Sequence, residues 1–304
     1  MTEKKIRLLV LGGPTGSGKS ALAVRLAEQI GGEIVNADSM QIYRGMDIGT
    51  AKPSVEERAR VPHHLLDFVS PELNFTASDF RREAAAAIVD IDRRGMKPIV
   101  VGGTGLYIRA LLEGLVDSPT GDPQLRLQFA DVPGEELLRR LFLVDPETAS
   151  RLHSNDRVRI VRALEVYSQT GRPISAFRSE HAFSGSYYDT LKMAIKVERQ
   201  ELYRRIEGRV EQMLLDGLVD EVRALIASGC SRELKAMRSI GYKEIAACLA
   251  GECTLNEAVE LIKRDTRRYA KRQMTWFTKE NDIYWLEYPE CFANILAHVI
   301  EFFS

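Results

Sequence analysis

The sequence predicts a doubly wound parallel α/β sheet with a helical domain inserted into it, and three observations carry that prediction. A short apolar run ends in Gly13-Pro14-Thr15-Gly16-Ser17-Gly18-Lys19-Ser20 and passes at once into a helical pattern. Strand-like and helix-like segments then alternate, and a second glycine-rich turn, Gly102-Gly103-Thr104-Gly105, again joins a strand to a helix. From Ser118 onward the alternation stops and the chain reads as helical and strand-poor. The fold class is therefore α/β, a P-loop NTPase-like doubly wound parallel sheet with an inserted helical domain.

Taken in order, Ile6, Leu8, Leu9, Val10 and Leu11 form the first strand, and Ala21 to Ile30 the first helix, stopped by Gly31-Gly32. Glu33 to Asp38 reads as a second strand that ends on an acid. Thr76 and Asp79 form a capping pair for a helix with Phe80, Ala84, Ala87, Ile88 and Ile91 on one face, ended by Gly95. Pro98 introduces the strand Ile99-Val100-Val101, and Leu106 to Leu112 is the helix after the second glycine turn. The break at Ser118-Pro119-Thr120-Gly121-Asp122-Pro123 opens the helical insertion. The expected division is a catalytic core of residues 1–118 and 196–304 and an insertion of residues 119–195. Leu202, Ile206, Val210, Met213, Leu214, Leu218, Val222, Leu225 and Ile226 mark a long amphipathic helix closed by Ser228-Gly229. A second long helix runs from about Asn256 to Phe277.

Composition bounds the function classes. The chain has 304 residues, 45% hydrophobic and 28% charged, which is globular composition. With 42 Lys+Arg against 43 Asp+Glu, bulk charge does not hold it to nucleic acid or membrane, although a local basic face remains open. The longest apolar runs fall far short of the ~20 residues that span a bilayer, and the N-terminus carries no apolar targeting core. Cys230, Cys248, Cys253 and Cys291 contain no C-x-x-C pair, which argues against a zinc knuckle or disulfide framework. A reduced, cytoplasmic protein without a membrane partner, working as a monomer, is the expectation.

The stretch from Gly13 to Ser20 satisfies G-x-x-x-x-G-K-[ST]. Its glycines let backbone N–H groups converge on a phosphate, Lys19 supplies a point charge, and Ser20 can hold Mg²⁺. Such a loop binds a di- or triphosphate without saying which. Asp38, closing an apolar strand near the phosphates, has three readings: a Mg²⁺ ligand, a proton acceptor for a nucleophile, or a cap for the turn at Ser39. Thr104 lies at the carboxyl end of the sheet, where ligands bind, and tight packing alone also accounts for the glycines around it.

Two basic groups stand out. Lys263, Arg267 and Lys271 recur every fourth residue on the last long helix, with Arg264, Arg268 and Arg272 beside them. Each stripe covers about 12 Å of helix axis, which suits several backbone phosphates of a nucleic acid. Arg151, Arg157, Arg159 and Arg162 cluster in the insertion, followed by Tyr167, Arg172, Phe177 and Arg178, a mixture that suits unstacked RNA bases. His63-His64 has no further ligands at useful spacing and reads as structural.

Several of these segments together resemble the tRNA dimethylallyltransferases. The resemblance rests on the run from Asp38-Ser39-Met40-Gln41-Ile42-Tyr43-Arg44-Gly45-Met46-Asp47 through Ile48-Gly49-Thr50-Ala51-Lys52-Pro53. It extends through Pro62-His63-His64-Leu65-Leu66-Asp67, Val101-Gly102-Gly103-Thr104-Gly105-Leu106-Tyr107, and Asn155-Asp156 with Arg162-Ala163-Leu164-Glu165. Ser239-Ile240-Gly241-Tyr242 and Ala270-Lys271-Arg272-Gln273-Met274-Thr275-Trp276 complete it, so that it spans nearly the whole chain.

The resemblance implies transfer of a dimethylallyl group from dimethylallyl diphosphate to N6 of the adenosine at tRNA position 37, releasing diphosphate. It implies that Asp38 is the general base, that Thr104 bridges the reacting centre, and that Lys19, Arg223 and Ser20 with Mg²⁺ hold the diphosphate. Ser39, Met40 and Gln41 would line the RNA side, and the insertion, through Arg126, Arg157 and Arg162, would grip the anticodon stem-loop. A chain ending at Ser304 without a zinc finger fits the bacterial type. A P-loop kinase or ATPase acting on a small molecule or RNA is the alternative, as is prenylation of free adenine nucleotides.

Overall fold

The computed structural model describes residues 5–115, 118–181, 187–289 and 291–304. In chain order the elements are β1 (Ile6–Gly12), α1 (Lys19–Ile30), β2 (Gly32–Asn36), α2 (Val55–Arg60), β3 (His63–His64), α3 (Ala77–Arg93), β4 (Lys97–Gly102) and α4 (Gly105–Glu113). Then come α5 (Pro123–Phe129), α6 (Gly134–Val144), α7 (Pro146–Ala149), α8 (Arg157–Thr170) and α9 (Ile174–His181). The chain closes with β5 (Tyr188–Ile195), α10 (Arg199–Leu215), α11 (Leu218–Ala227), α12 (Tyr242–Leu249), α13 (Leu255–Phe277), β6 (Ile283–Leu286) and α14 (Phe292–Phe303).

The six strands form one parallel sheet in the order β3-β2-β4-β1-β5-β6. Alternate residues of the central strands go to opposite cores, as a sheet covered on both faces requires. Leu8, Val10, Val35, Val100 and Ala194 pack with α3, α4 and α10–α13, whereas Leu9, Leu11, Ile34, Ile99 and Ile195 pack with α1 and α14. The Thr76–Asp79 pair does cap α3: each side chain accepts the other's backbone N–H.

Two compact units result, one of Met1–Leu112 with Ser186–Ser304 and one of Glu113–Gly185. The expected insertion of 119–195 is thus corrected at its C-terminal end, where residues 182–186 lie outside the described residues. Tyr188–Ile195 is not helical lobe but a central strand, paired with β1 from Ile6–Tyr188 to Gly12–Ala194. Asp189 and Lys192 dilute its apolar pattern, and Arg7 answers Asp189 across the pair at 4.0 Å. The expected single helix from Leu202 to Ile226 is in fact α10 and α11. Gly217, at φ 99°, breaks it in the left-handed region that glycine tolerates.

The elements described in the smaller unit are helices, and its core is made by Leu137 and Leu141 of α6, Ile160 and Leu164 of α8, and Ile174 of α9. No described helix is long and apolar enough to cross a membrane.

Candidate active site

The phosphate-binding loop fills the turn from β1 to α1. Gly16 and Gly18, at φ 81° and 89°, adopt left-handed backbone there, and α1 begins at Lys19 without a side-chain cap. Its first N–H groups and the positive end of its dipole are left for an anion. Lys19 donates its ammonium to Pro14 O at 3.3 Å. Burial pulls the Lys19 ammonium down to about 8, the Asp38 carboxylate pulls it back up, and Arg209 lowers it further. Arg209, from α10, donates to Thr15 Oγ1 at 3.2 Å, and burial lowers its pKa also. Two cations held close together and short of water are a site short of negative charge.

Asp38 follows β2. Its Oδ1 accepts Met40 N at 2.8 Å and Gln41 N at 3.4 Å, while Oδ2 accepts no hydrogen bond from the described residues. Thr104 Oγ1 accepts Ser39 N at 3.1 Å, and Thr104 N donates to Ala37 O at 3.3 Å. Asp38, Ser39 and Thr104 are therefore brought together as expected. Gln41 also braces the following loop, its amide donating to Thr50 O at 3.1 Å and Ala51 O at 3.0 Å. Tyr269 of α13 stands beside Thr104 and Asp38, and burial pushes its phenol up to about 12.

Gln273 joins the two glycine-rich turns. Its Oε1 accepts Thr15 N at 2.9 Å and its Nε2 donates to Gly103 O at 3.0 Å. A Cβ on Gly103 would lie 2.0 Å from Gln273 Nε2 and one on Gly105 2.2 Å from Trp276, both on α13, whereas one on Gly102 would meet Ala37 O at 2.2 Å. Packing explains those glycines, and the same packing places Thr104.

Three hollows meet at Arg209. One of about 720 Å³ is lined by five cations, Lys19, Lys52, Arg58, Arg205 and Arg209, against three carboxylates, Asp47, Glu57 and Asp216, with Ser20 beside them. A second of about 290 Å³ is more apolar, lined by Met40, Ile206, Val210, Met213, Ile240 and Ile262, with Asp38 and Tyr269 at its edge. A narrow cleft of about 50 Å³ holds Lys19, Ser20, Asp38 and Gln41. The described residues contain no group of three or more acids, histidines or cysteines able to hold a metal ion. A hydroxyl (Ser20) and a carboxylate (Asp38) in one cleft nevertheless fit Mg²⁺, which keeps several waters and substrate phosphates as ligands.

Other expected site residues are placed elsewhere. Arg223 is exposed on α11, pairs with Asp220 one turn back, and lines none of these hollows. In the smaller unit, Arg157 donates to the carbonyls of Val132, Phe129 and Ala130, which closes the end of α5 onto α8. Arg162 donates to Glu165 and Ser118, and Arg126 to Glu165. Glu165 is fully buried; burial alone would raise its carboxyl, yet Arg162 and Arg126 hold it below the usual range. A buried carboxylate needs such partners, so Arg162 and Arg126 hold Glu165 within the lobe, Arg126 while still half exposed. His63 and His64 are bonded to Val61 O and to buried Glu33, both at 2.7 Å, and His63 also lines the narrow cleft. On α13, Lys263 and Arg267 pair with Glu211 and Glu207 of α10. Arg264, Arg268, Lys271 and Arg272 remain on the outer face.

Arg209, Tyr269 and Gln273 are the groups that sequence reasoning missed. A signal existed: Arg209 lies three and seven residues after Ile206 and Leu202, on the buried stripe of α10. Ile262, Thr266, Tyr269, Gln273 and Phe277 likewise share one face of α13.

The IPP transferase family model matches residues 41–280, and the isopentenyl transferase model residues 5–71. The chain is 78% identical over 99% of its length, and 99% of the relative's, to tRNA dimethylallyltransferase 1 of Citrifermentans bemidjiense. It is 57% identical to tRNA dimethylallyltransferase of Geobacter sulfurreducens, over 99% of this chain and 98% of that one. Among solved structures, a tRNA isopentenylpyrophosphate transferase from Bacillus halodurans superposes with TM-score 0.74 at 36% identity, covering 98% of this chain and 97% of that one. A eukaryotic dimethylallyltransferase acting on tRNA gives TM-score 0.80 at 32% identity, covering 92% and 73%. Sequence likeness over the whole chain and likeness of fold thus agree with the phosphate cradle facing Asp38, and the chain belongs to the IPP transferase family.

Proposed function

We propose that this site carries out the reaction for which its relatives are named, transfer of a dimethylallyl group to tRNA, with N6 of the adenosine at position 37 as acceptor. The observation that carries the reading is the meeting, at Arg209, of a cationic hollow with an apolar one edged by Asp38. The diphosphate of dimethylallyl diphosphate lies in the first, held by the loop amides, Lys19 and Arg209. The five-carbon group faces Asp38.

N6 of adenine is a weak nucleophile because its lone pair is delocalised into the ring. It attacks C1 of the dimethylallyl group; the C1–O bond breaks and its electron pair leaves with the diphosphate. Asp38 takes the N6 proton on Oδ2, while Met40 N and Gln41 N pin Oδ1 and so fix the direction of the lone pairs. Lys19 and Arg209 stabilise the negative charge that grows on the leaving group. Mg²⁺, held by Ser20 with the diphosphate and water, would add charge neutralisation there. Thr104 holds Ser39 N and so keeps the turn carrying Asp38 in place. The base has to leave the anticodon stack to reach the pocket.

All these groups belong to one compact unit of one chain, so a single copy suffices. The helical unit grips the anticodon stem-loop, and the enzyme works in the cytoplasm with its tRNA. A synthetic anticodon hairpin tests the acceptor: prenylation is expected with adenosine 3′ of the anticodon and absent when guanosine replaces it. Equal labelling of both hairpins would overturn the assignment.

A further inference from the structure

One carboxylate on α11 reaches the wall between the two larger hollows. Glu221 Oε2 accepts Asp47 N at 2.9 Å and Ile48 N at 2.8 Å; its Oε1 accepts Gly49 N at 3.1 Å and the Tyr242 hydroxyl at 2.6 Å. Three successive N–H groups converging on one point form an anion-binding nest, and here a side chain fills it. Asp47 and Ile48 line the cationic hollow, while Gly49 lines the apolar one. Gly49 has no room for a side chain, since a Cβ would lie 2.5 Å from the Tyr242 ring.

The other ties of this loop run through its carbonyls and side chains: Lys52 N donates to Asp47 O at 3.0 Å and Ala51 N to Ile48 O at 2.9 Å. Lys52, whose ammonium is almost wholly buried, reaches Asp47, Asp67 and Tyr43 O, and Gln41 holds Thr50 O and Ala51 O. The three N–H groups of Asp47, Ile48 and Gly49, by contrast, all have Glu221 as their acceptor. Hydrogen bonds to a charged acceptor are roughly twice as strong as neutral ones.

We propose that Glu221 is a positioning residue for the donor cavity: by filling the nest of Asp47, Ile48 and Gly49, it sets the wall against which the diphosphate is held opposite Lys19 and Arg209. Glu221 touches neither donor nor acceptor. The inference rests on the reading that the cationic hollow takes the donor's diphosphate, and its test needs no prenyl transfer.

The nest offers a direct experiment, because acetate has the shape of the carbons and oxygens that Glu221→Ala removes. Binding of inorganic diphosphate with Mg²⁺ is measured by calorimetry on the full chain. Glu221→Ala is expected to weaken it about tenfold through misplacement of the wall. Acetate at tens of millimolar, against a chloride control of equal ionic strength, is expected to restore most of the loss while leaving wild type unchanged. Tyr242→Phe keeps the carboxylate and its three N–H donors, and is expected to weaken binding only about twofold, as the loss of one partner of four would. Should Glu221→Ala fail to fold, Glu221→Gln replaces it, presenting an N–H₂ group to backbone N–H donors, and the same tenfold loss is expected. Unchanged diphosphate affinity in the variant, or a loss that acetate does not reverse, would overturn the proposal. Diphosphate binding that depends on Glu221 in an enzyme that transfers no prenyl group would instead fault the assigned reaction and leave this inference standing.

Discussion

Gln273 and Thr15 are 258 residues apart in sequence, and the carboxamide oxygen of the first accepts the backbone N–H of the second at 2.9 Å. The other end of the same amide donates to Gly103 O, one residue before Thr104. A single buried side chain on α13 therefore ties the loop that cradles phosphate to the turn that holds the Asp38 segment. In the proposed reaction, this amide sets in part the distance between leaving group and base.

Gln273→Leu keeps the volume and removes both hydrogen bonds. Leaving Thr15 N–H and Gly103 C=O unpaired costs about 1–3 kcal/mol per group when buried. Tm is expected to fall by at least about 4 °C, at roughly 2–4 °C per kcal/mol for a unit of this size, and turnover by about tenfold as the two loops drift apart. Calorimetry and steady-state kinetics check both; an unaltered turnover would show that the staple is not needed for alignment.

Asp38→Asn separates base from turn. The Asn Oδ1 still accepts Met40 N, so the loop is expected to stay as it is, but the proton acceptor is gone. Turnover should drop by about 10²–10⁴ with KM for both substrates within a few-fold. Single-turnover rates measured at saturating donor and tRNA decide it.

Arg209 and Arg223 can be compared directly. Arg209→Ala removes a cation from the cradle and is expected to weaken binding of diphosphate about a hundredfold, since charge-assisted contacts to phosphate are the strong ones. Arg223→Ala breaks only an exposed pair with Asp220, which contributes little, and should leave affinity unchanged. The reverse pattern would restore the role that resemblance assigned to Arg223.

Lys19 makes donor binding depend on pH. Its ammonium is lowered from 10.5 to about 8 in the free enzyme, chiefly by burial. Donor affinity should fall above about pH 8, approaching tenfold per unit, as the charged form disappears. The stability of the empty enzyme moves the other way. The unfolded chain keeps this proton up to 10.5, so this group's contribution improves as pH rises from about 8 to 10.5. Titration calorimetry and thermal melts from pH 7 to pH 10 read the two trends, and an affinity flat to pH 9 would contradict this picture.

The basic helix now divides into two parts. Lys263 and Arg267 bind α13 to α10, so Lys263→Ala is expected to act on stability and not on RNA. Arg268→Glu with Arg272→Glu should weaken tRNA binding and make the slope of log K against log salt shallower by about two. Filter binding between low and physiological salt measures this. An unchanged slope would remove the outer face of α13 from the RNA interface.

How far the sequence could be read follows from where its signals were local. The cradle, the Thr76–Asp79 cap and the alternation of β1, β2 and β4 with their helices were legible because each depends on neighbouring residues. Asp38 and Thr104 were legible as a pair only through their turns. Tyr188–Ile195 was not, because Asp189 and Lys192 break the apolar run of a strand whose burial is completed by partners far away in sequence. The partners of Arg157 and Arg162 were not legible, because composition cannot show that the carbonyls of Phe129 and Ala130 and the carboxylate of Glu165 engage them. Arg209 and Gln273 lay hidden for the same reason: their partners, Thr15 and Gly103, are brought to them by the fold.

The most direct test of the central claim mixes the purified protein with unmodified tRNA, Mg²⁺ and labelled dimethylallyl diphosphate, with no ATP present, followed by nucleoside digestion and mass analysis. The account predicts labelled N6-(dimethylallyl)adenosine from position 37, appearing with release of diphosphate. No labelled nucleoside, together with phosphate release when ATP is supplied instead, would contradict it and mark the cradle as that of a kinase or ATPase.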